Sequence, residues 1–168
     1  MTNEVAIRPA RTADVAAVRR LVGLYTDDGR LLAKAPVTLY EDVQEFLVAE
    51  VDGVIIGCGA LHVMWEDLGE IRTLAVDPEH ARRGIGGRIL DGLITRAKEL
   101  GLARLFCLTF EVDFFRSRGF DEIEGSPVDH AVFEQLLQSY DEGVAEFLDL
   151  ERVKPNTLGN HRMLMLLR

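Results

Sequence analysis

Three glycines and three arginines share the seven residues 82–88, RRGIGGR. Glycine costs ~1 kcal/mol relative to Ala inside a helix, yet Gly84, Gly86 and Gly87 stand where an amphipathic helical pattern begins. The first amide N–H groups of a helix have no intrahelical partner and, with the helix dipole, form a site for an anion. Glycine removes the Cβ atoms that would keep a phosphate away from that backbone. Arg82, Arg83 and Arg88 add positive charge, and a guanidinium binds phosphate through two parallel hydrogen bonds. The chemistry indicated is the binding of a pyrophosphate. The loop is not a Walker A motif, since no Gly-Lys-Ser/Thr follows, nor a dinucleotide fingerprint, whose third glycine it lacks. Glycines alone would equally suit a tight turn; the arginines favour the phosphate.

Other chemistries find little support. Cys58 and Cys107 each lie in an apolar run, and His62, His80, His130 and His161 are scattered. That pattern implies buried reduced thiols and no metal site. A net charge of −9 excludes a general nucleic-acid binder and leaves anion binding to a local cationic patch. The start, MTNEVAIRPA, has no apolar core of a signal peptide, and no stretch approaches ~18 unbroken apolar residues. The expectation is a soluble, cytoplasmic protein with no membrane partner.

The loop must be held by its neighbours. With 168 residues, 48% hydrophobic and 28% charged, the chain suits one globular α+β domain spanning 1–168. A strand is expected at 4–8, then a helix capped by Thr12 with Val15, Val18, Leu21, Val22 and Tyr25 on its apolar face. Residues 27–37 read as a loop. Thr38 and Glu41 form a capping-box pattern for a short helix over 39–45. Strands at 46–51 and 54–64 meet at Asp52-Gly53, a strong hairpin signal; Gly57 and Gly59 mark a bulge or a close backbone approach. A turn at 65–69 leads to a strand at 70–76, opened by Glu70. After the glycine loop a helix runs to Gly101, followed by a buried strand at 103–110, a short helix at 112–117, a strand at 120–123, a helix at 128–140 and a tail strand at 160–167.

In that order of elements, EIRTLAVDPEHARRGIGGRILDGLI resembles motif A of the GNAT superfamily of N-acetyltransferases. The six positions of its pyrophosphate loop are Ala81, Arg82, Arg83, Gly84, Ile85 and Gly86. Ala81 replaces the family's usual Gln or Arg. The resemblance implies a GNAT fold, a central mixed, mostly antiparallel sheet with helices on both faces. It also implies acetyl-CoA as co-substrate, without a metal. The backbone of Leu74, Ala75 and Val76 would pair with the pantetheine arm, and the segment Arg82, Arg83, Gly84, Ile85, Gly86, Gly87 and Arg88 would take the phosphates.

Four further pieces, RLLAKAPVTLYEDV, GEIRTLAVDP, LFCLTFEVDFFRSRGF and GNHRMLM, are similar to the short stand-alone N-acetylglutamate synthases, amino-acid N-acetyltransferases that open arginine biosynthesis. Feedback through an amino-acid-kinase-like domain is not expected, because 168 residues cannot hold one. The resemblance places Glu70 at the family's acidic position as general base, with Glu66 and Asp67 as alternatives. Useful base strength in a carboxylate demands burial or a nearby negative charge. It also assigns Lys34, Arg72 and Arg162 to the substrate carboxylates and Thr73 to a backbone contact. Phe115 stands where many relatives have a tyrosine that protonates the departing thiolate, so water or the substrate ammonium takes that role. The oxyanion donors would be N–H groups near Leu74 and Ala75. Competing readings keep the fold but acetylate glutamine, another amino acid, a peptide N-terminus, a polyamine or an aminoglycoside, or make the chain a non-catalytic acyl-CoA sensor. The tail strand and the helix near 129–140 offer a homodimer surface or else complete the core.

Overall fold

The computed structural model describes residues 4–26, 34–153, 157 and 159–167. The elements run β1 (Ala6–Pro9), α1 (Val15–Thr26), α2 (Pro36–Glu41), β2 (Phe46–Val51), β3 (Val54–Trp65), β4 (Leu68–Val76), α3 (Ile85–Leu100), β5 (Arg104–Thr109), α4 (Val112–Ser117), β6 (Asp121–Ile123), α5 (His130–Leu136), α6 (Glu142–Phe147) and β7 (His161–Leu166). The strands form a seven-stranded sheet in the order β1-β2-β3-β4-β5-β7-β6. β1, β2 and β3 are antiparallel neighbours, as are β5, β7 and β6, while β4 and β5 run parallel. The architecture is α+β, a mixed, mostly antiparallel sheet with helices, as the resemblance implies.

The chain divides into two compact units. In the first, Met1–His62 with Ile71–Leu100, Asp52 and Gly53 both take positive φ, 50° and 78°. A two-residue hairpin needs that geometry to match strand twist. One face of its strands, including Phe46, Val48, Ile55, Cys58 and Ala75, packs on Val15, Val18, Leu21 and Val22 of α1 and Leu39 of α2. The other face takes α3, and here the glycines of β3 have their purpose. A Cβ on Gly59 would stand 2.9 Å from both Ile89 Cγ2 and Leu74 Cδ1. Close approach is therefore the reason for Gly59, and the register shift lies in β2, between Ala49 and Glu50.

The second unit, Val63–Glu70 with Gly101–Arg168, centres on Phe106 and Phe147, edge-to-face at 4.8 Å, with Met64, Leu68, Leu136, Val144 and Leu148 around them. The tail strand pairs on both sides, with β5 and β6, and Met163 is wholly buried, so it completes a core. Leu137 and Tyr140, beyond α5, are exposed.

Several boundaries differ from the sequence reading. Thr12 does not cap α1; it opens a 3-10 turn, Thr12–Asp14, that leads into α1 and is capped by Arg11, whose N–H donates to the Asp14 carboxylate at 2.7 Å. Arg8 grips the same carboxylate at 2.8 and 3.0 Å and holds it below the usual carboxylate range. The second helix starts at Pro36, with Ala35 as its cap and Thr38 inside it, because proline suits the first helical position. Of the loop expected at 27–37, residues 27–33 lie outside the described residues. β4 opens at Leu68, two residues before Glu70. The helix expected over 128–140 is shorter, capped by Asp129, and a separate α6 follows it.

Candidate active site

β4 carries three kinds of chemistry along one strand. Near its start Glu70 is 4% exposed, with Oε2 shut off from solvent, and lies in register with Phe106 of β5. Strand entry at Leu68 is what buries it: the Glu66-Asp67 turn keeps the charge of Glu66 outside, and Asp67 spends its carboxylate on Arg104 at 3.2 and 3.3 Å. The carboxylate field of Glu70 reaches two groups of the same unit. Burial, aided by Glu70, pushes the Cys107 thiol well above its ordinary range. Burial lowers Arg162, with Asp149 and Glu70 opposing it.

In mid-strand, Thr73 is buried with φ of +56°. A β-branched residue rarely enters the left-handed region, and such a conformation costs of order 1–3 kcal/mol. Its carbonyl accepts a hydrogen bond from the Cys58 thiol at 3.4 Å. Burial pushes that thiol up to about 12, against the Ala75 N–H, which lies against the sulfur and pulls it down. At the strand's end the Tyr25 hydroxyl donates to the Val76 carbonyl, and the Asp77 N–H donates to the Ile56 carbonyl at 2.8 Å. Ala75 N–H and Val76 C=O are thus engaged by the protein, which narrows the expected free backbone of residues 74–76.

Beyond β4 the chain enters the glycine loop. Asp77 accepts from the Glu79 N–H at 3.0 Å and from Arg20 at 3.2 Å, and these contacts hold its carboxyl below the usual range. Arg20 also donates to the Ile55 carbonyl at 3.1 Å, tying α1 to the loop entry. Arg82 takes φ of +64° and Gly84 +74°. The ladder of α3 begins with the Arg88 N–H on the Gly84 carbonyl at 3.1 Å, so the N–H groups of Ile85, Gly86 and Gly87 precede it. A Cβ on Gly84 would meet no atom within 4 Å, and its surroundings are open. The residues present fit a pyrophosphate. Arg82 and Arg83 are exposed, with Arg83 2.7 Å from His80 Nδ1; Arg88 gives one N–H to the Val5 carbonyl at 2.9 Å.

The expected substrate residues differ in their surroundings. Lys34 is half-buried just before α2, and Arg72 is half-buried on β4. Arg162 is occupied: it donates to the carbonyls of Gly125 at 2.8 Å, Glu146 at 3.3 Å and Phe147, and to Ser126 Oγ at 3.4 Å, and it stacks 4.9 Å over Phe106. Nearly all its donors pin the 125–126 turn and the end of α6. Phe115, at the tyrosine position, is sealed edge-to-face between Phe114 and Phe120 at 5.1 and 5.2 Å. Tyr25, Arg20 and Cys58 escaped the sequence reading. Tyr25 showed only as one more apolar position of α1, and Cys58 only as a core thiol. Among the described residues no cluster can hold a metal, and no helix is long and apolar enough to cross a membrane.

The chain is similar to known proteins in sequence and in fold. The model of the acetyltransferase (GNAT) family matches residues 18–120. An amino-acid acetyltransferase of Mycobacterium tuberculosis is 58% identical over 165 residues, 96% of this chain and 94% of the relative. One from Aeromonas salmonicida is 35% identical over 73% of this chain, which spans only 28% of that enzyme. The crystal structure of Rv2747 from M. tuberculosis in complex with CoA and NLQ is 57% identical with a TM-score of 0.95, covering 97% of this chain and 99% of that one. N-acetylglutamate synthase from Neisseria gonorrhoeae, complexed with coenzyme A and N-acetyl-glutamate, is 26% identical with a TM-score of 0.78, covering all of this chain and 36% of its own. With the strained strand, the anion-ready helix start and these likenesses together, the chain belongs to the acetyltransferase (GNAT) family.

Proposed function

We propose that this acetyltransferase moves the acetyl group of acetyl-CoA to the α-amino group of a free amino acid, with L-glutamate as the acceptor, the opening step of arginine biosynthesis. The observation that carries the reading is the course of the chain along β4, from a buried carboxylate at Glu70 through the strained Thr73, and on to the helix start at Gly84–Gly87, open at Gly84. Residues 1–168 act as one cytoplasmic acetyltransferase domain. The likeness to the amino-acid acetyltransferase of M. tuberculosis supports an amino-acid acceptor, and that to the N-acetylglutamate synthase of N. gonorrhoeae, complexed with N-acetyl-glutamate, supports glutamate.

Acetyl-CoA supplies the activated acyl group as a thioester. The amides of Ile85, Gly86 and Gly87, with Arg82 and Arg83, hold its pyrophosphate. Glu70, directly or through a water, takes one proton from the substrate ammonium. The freed nitrogen bonds to the acyl carbon, the carbonyl electron pair moves onto the acyl oxygen, and its return breaks the carbon–sulfur bond. The second proton of that nitrogen passes to the departing sulfur, since Phe115 has none to give. Lys34 and Arg72 bind the carboxylates of the acceptor.

The test follows thiol release with glutamate, glutamate α-amide and glutamine as acceptors. Wild type prefers glutamate to its α-amide, and Lys34→Met raises the acceptor KM tenfold or more, as expected for a lost charge-assisted bond of ~1.5–3 kcal/mol. Equal use of glutamate and its α-amide by wild type overturns the amino-acid reading in favour of a peptide or polyamine acceptor. Preference for glutamine over glutamate keeps the class and corrects the amino acid.

A further inference from the structure

The buried thiol of Cys58 sits on the one peptide where the strand is strained. Cys58 has no exposed surface, and its Sγ–H donates to the Thr73 carbonyl at 3.4 Å. The Ala75 N–H lies against the same sulfur. One atom of β3 therefore spans both ends of the Thr73–Ala75 segment. No described peptide bond is cis, and in a trans peptide the C=O and the next N–H point in opposite directions. With the Thr73 oxygen turned onto the thiol, the Leu74 N–H is turned away from it. The Ala75 N–H faces the sulfur and is spent there. Of the two donors expected to serve the oxyanion, the structure leaves Leu74.

We infer that Cys58 is a positioning residue for acyl transfer: its thiol locks the strained Thr73–Leu74 peptide so that the Leu74 N–H, and not that of Ala75, is presented to the acyl oxygen. The inference rests on the acetyl-transfer reading above. Oriented donors of this kind act by being fixed before charge develops, and loss of one costs about 10²–10³-fold in turnover when the donor itself is removed. Loosening a donor costs less than deleting it. A thiol suits the place because it both donates and accepts. Burial keeps it protonated at any working pH, so the donated bond persists.

The experiment compares Cys58→Ala with Cys58→Ser, which differ by a single hydroxyl. Three readouts are taken: kcat, the acetyl-CoA dissociation constant, and the infrared stretch of the thioester carbonyl in bound, isotope-labelled acetyl-CoA. In wild type and Cys58→Ser the bound carbonyl stretch lies below its solution value. In Cys58→Ala it returns toward solution and kcat drops about tenfold, with the dissociation constant held, because the pyrophosphate cradle is untouched. Wild-type kcat and stretch in Cys58→Ala overturn the inference, as does equal loss in Ser and Ala variants. Should Cys58→Ala not fold, the wild-type S–H stretch, identified by its absence from Cys58→Ser, decides: a hydrogen-bonded frequency supports the inference and a free-thiol frequency overturns it. Failure of wild type to bind acetyl-CoA takes the inference down with the reading beneath it.

Discussion

Replacing Gly84 by valine separates backbone strain from ligand binding, because a second glycine supplies the control. Gly84 and Gly101 stand at opposite ends of α3, with φ of +74° and +87°, and an added Cβ meets no atom within 4 Å at either. Neither variant clashes; each forces a β-branched residue into the left-handed region at about 1–2 kcal/mol. In a chain of this length 1 kcal/mol is worth roughly 2–4 °C in Tm, so both apo variants melt about 2–8 °C below wild type. Acetyl-CoA at a hundred times its Kd adds about 2.7 kcal/mol, or roughly 5–11 °C. Gly101→Val, remote from the amides of residues 85–87, keeps that increment. Gly84→Val places its branch in the open cradle. If Kd rises ~100-fold, the same ligand concentration contributes only about 0.4 kcal/mol, an increment of about 1–2 °C. Differential scanning fluorimetry with and without acetyl-CoA reads all six melts. An undiminished ligand shift in Gly84→Val, or an equal loss in Gly101→Val, refutes the assignment of the cradle.

Glu70→Gln should lower kcat by ~10²-fold or more, within the range for removing a general base, with acetyl-CoA affinity unchanged; wild-type kinetics across pH 6–9 would move the base to Glu66. The Asp14 carboxyl, held down chiefly by Arg8 and also by the Arg11 N–H, gives a pH signature in stability. Because its folded pKa lies below the ordinary 3.8, its contribution is present above that value and is lost as pH falls through the depressed one. Asp14→Asn should therefore cost ~1–2 kcal/mol in urea unfolding at neutral pH, with the gap to wild type closing on acidification; a gap that widens in acid contradicts the cap.

Local sequence accounts for the elements whose signals are short-range. Asp52-Gly53 specified its hairpin because few residue pairs accept two consecutive positive φ values, and Gly101 ended α3 for the same reason. The glycine loop could be read as an anion site because orphan amides and missing Cβ atoms are properties of a few consecutive residues. The α4 helix, Val112–Ser117, fell where its pattern placed it. What periodicity could not reach were partners distant in sequence. Thr73 reads as an ordinary strand residue; its left-handed φ, and the thiol of Cys58, fifteen positions earlier, on its carbonyl, are visible only in the fold. Arg162 shows in sequence only as a cation of the tail motif, and the acceptors at Gly125, Ser126 and Phe147 that surround its guanidinium are visible only in the fold. Glu70 reads as the first residue of its strand, and only the earlier opening of β4 and the pairing with Phe106 bury it. The residue types that permit the chemistry are set by local sequence. Which of their polar atoms remain available for it is settled by long-range hydrogen bonding, since the great majority of buried donors and acceptors find a partner somewhere in the fold.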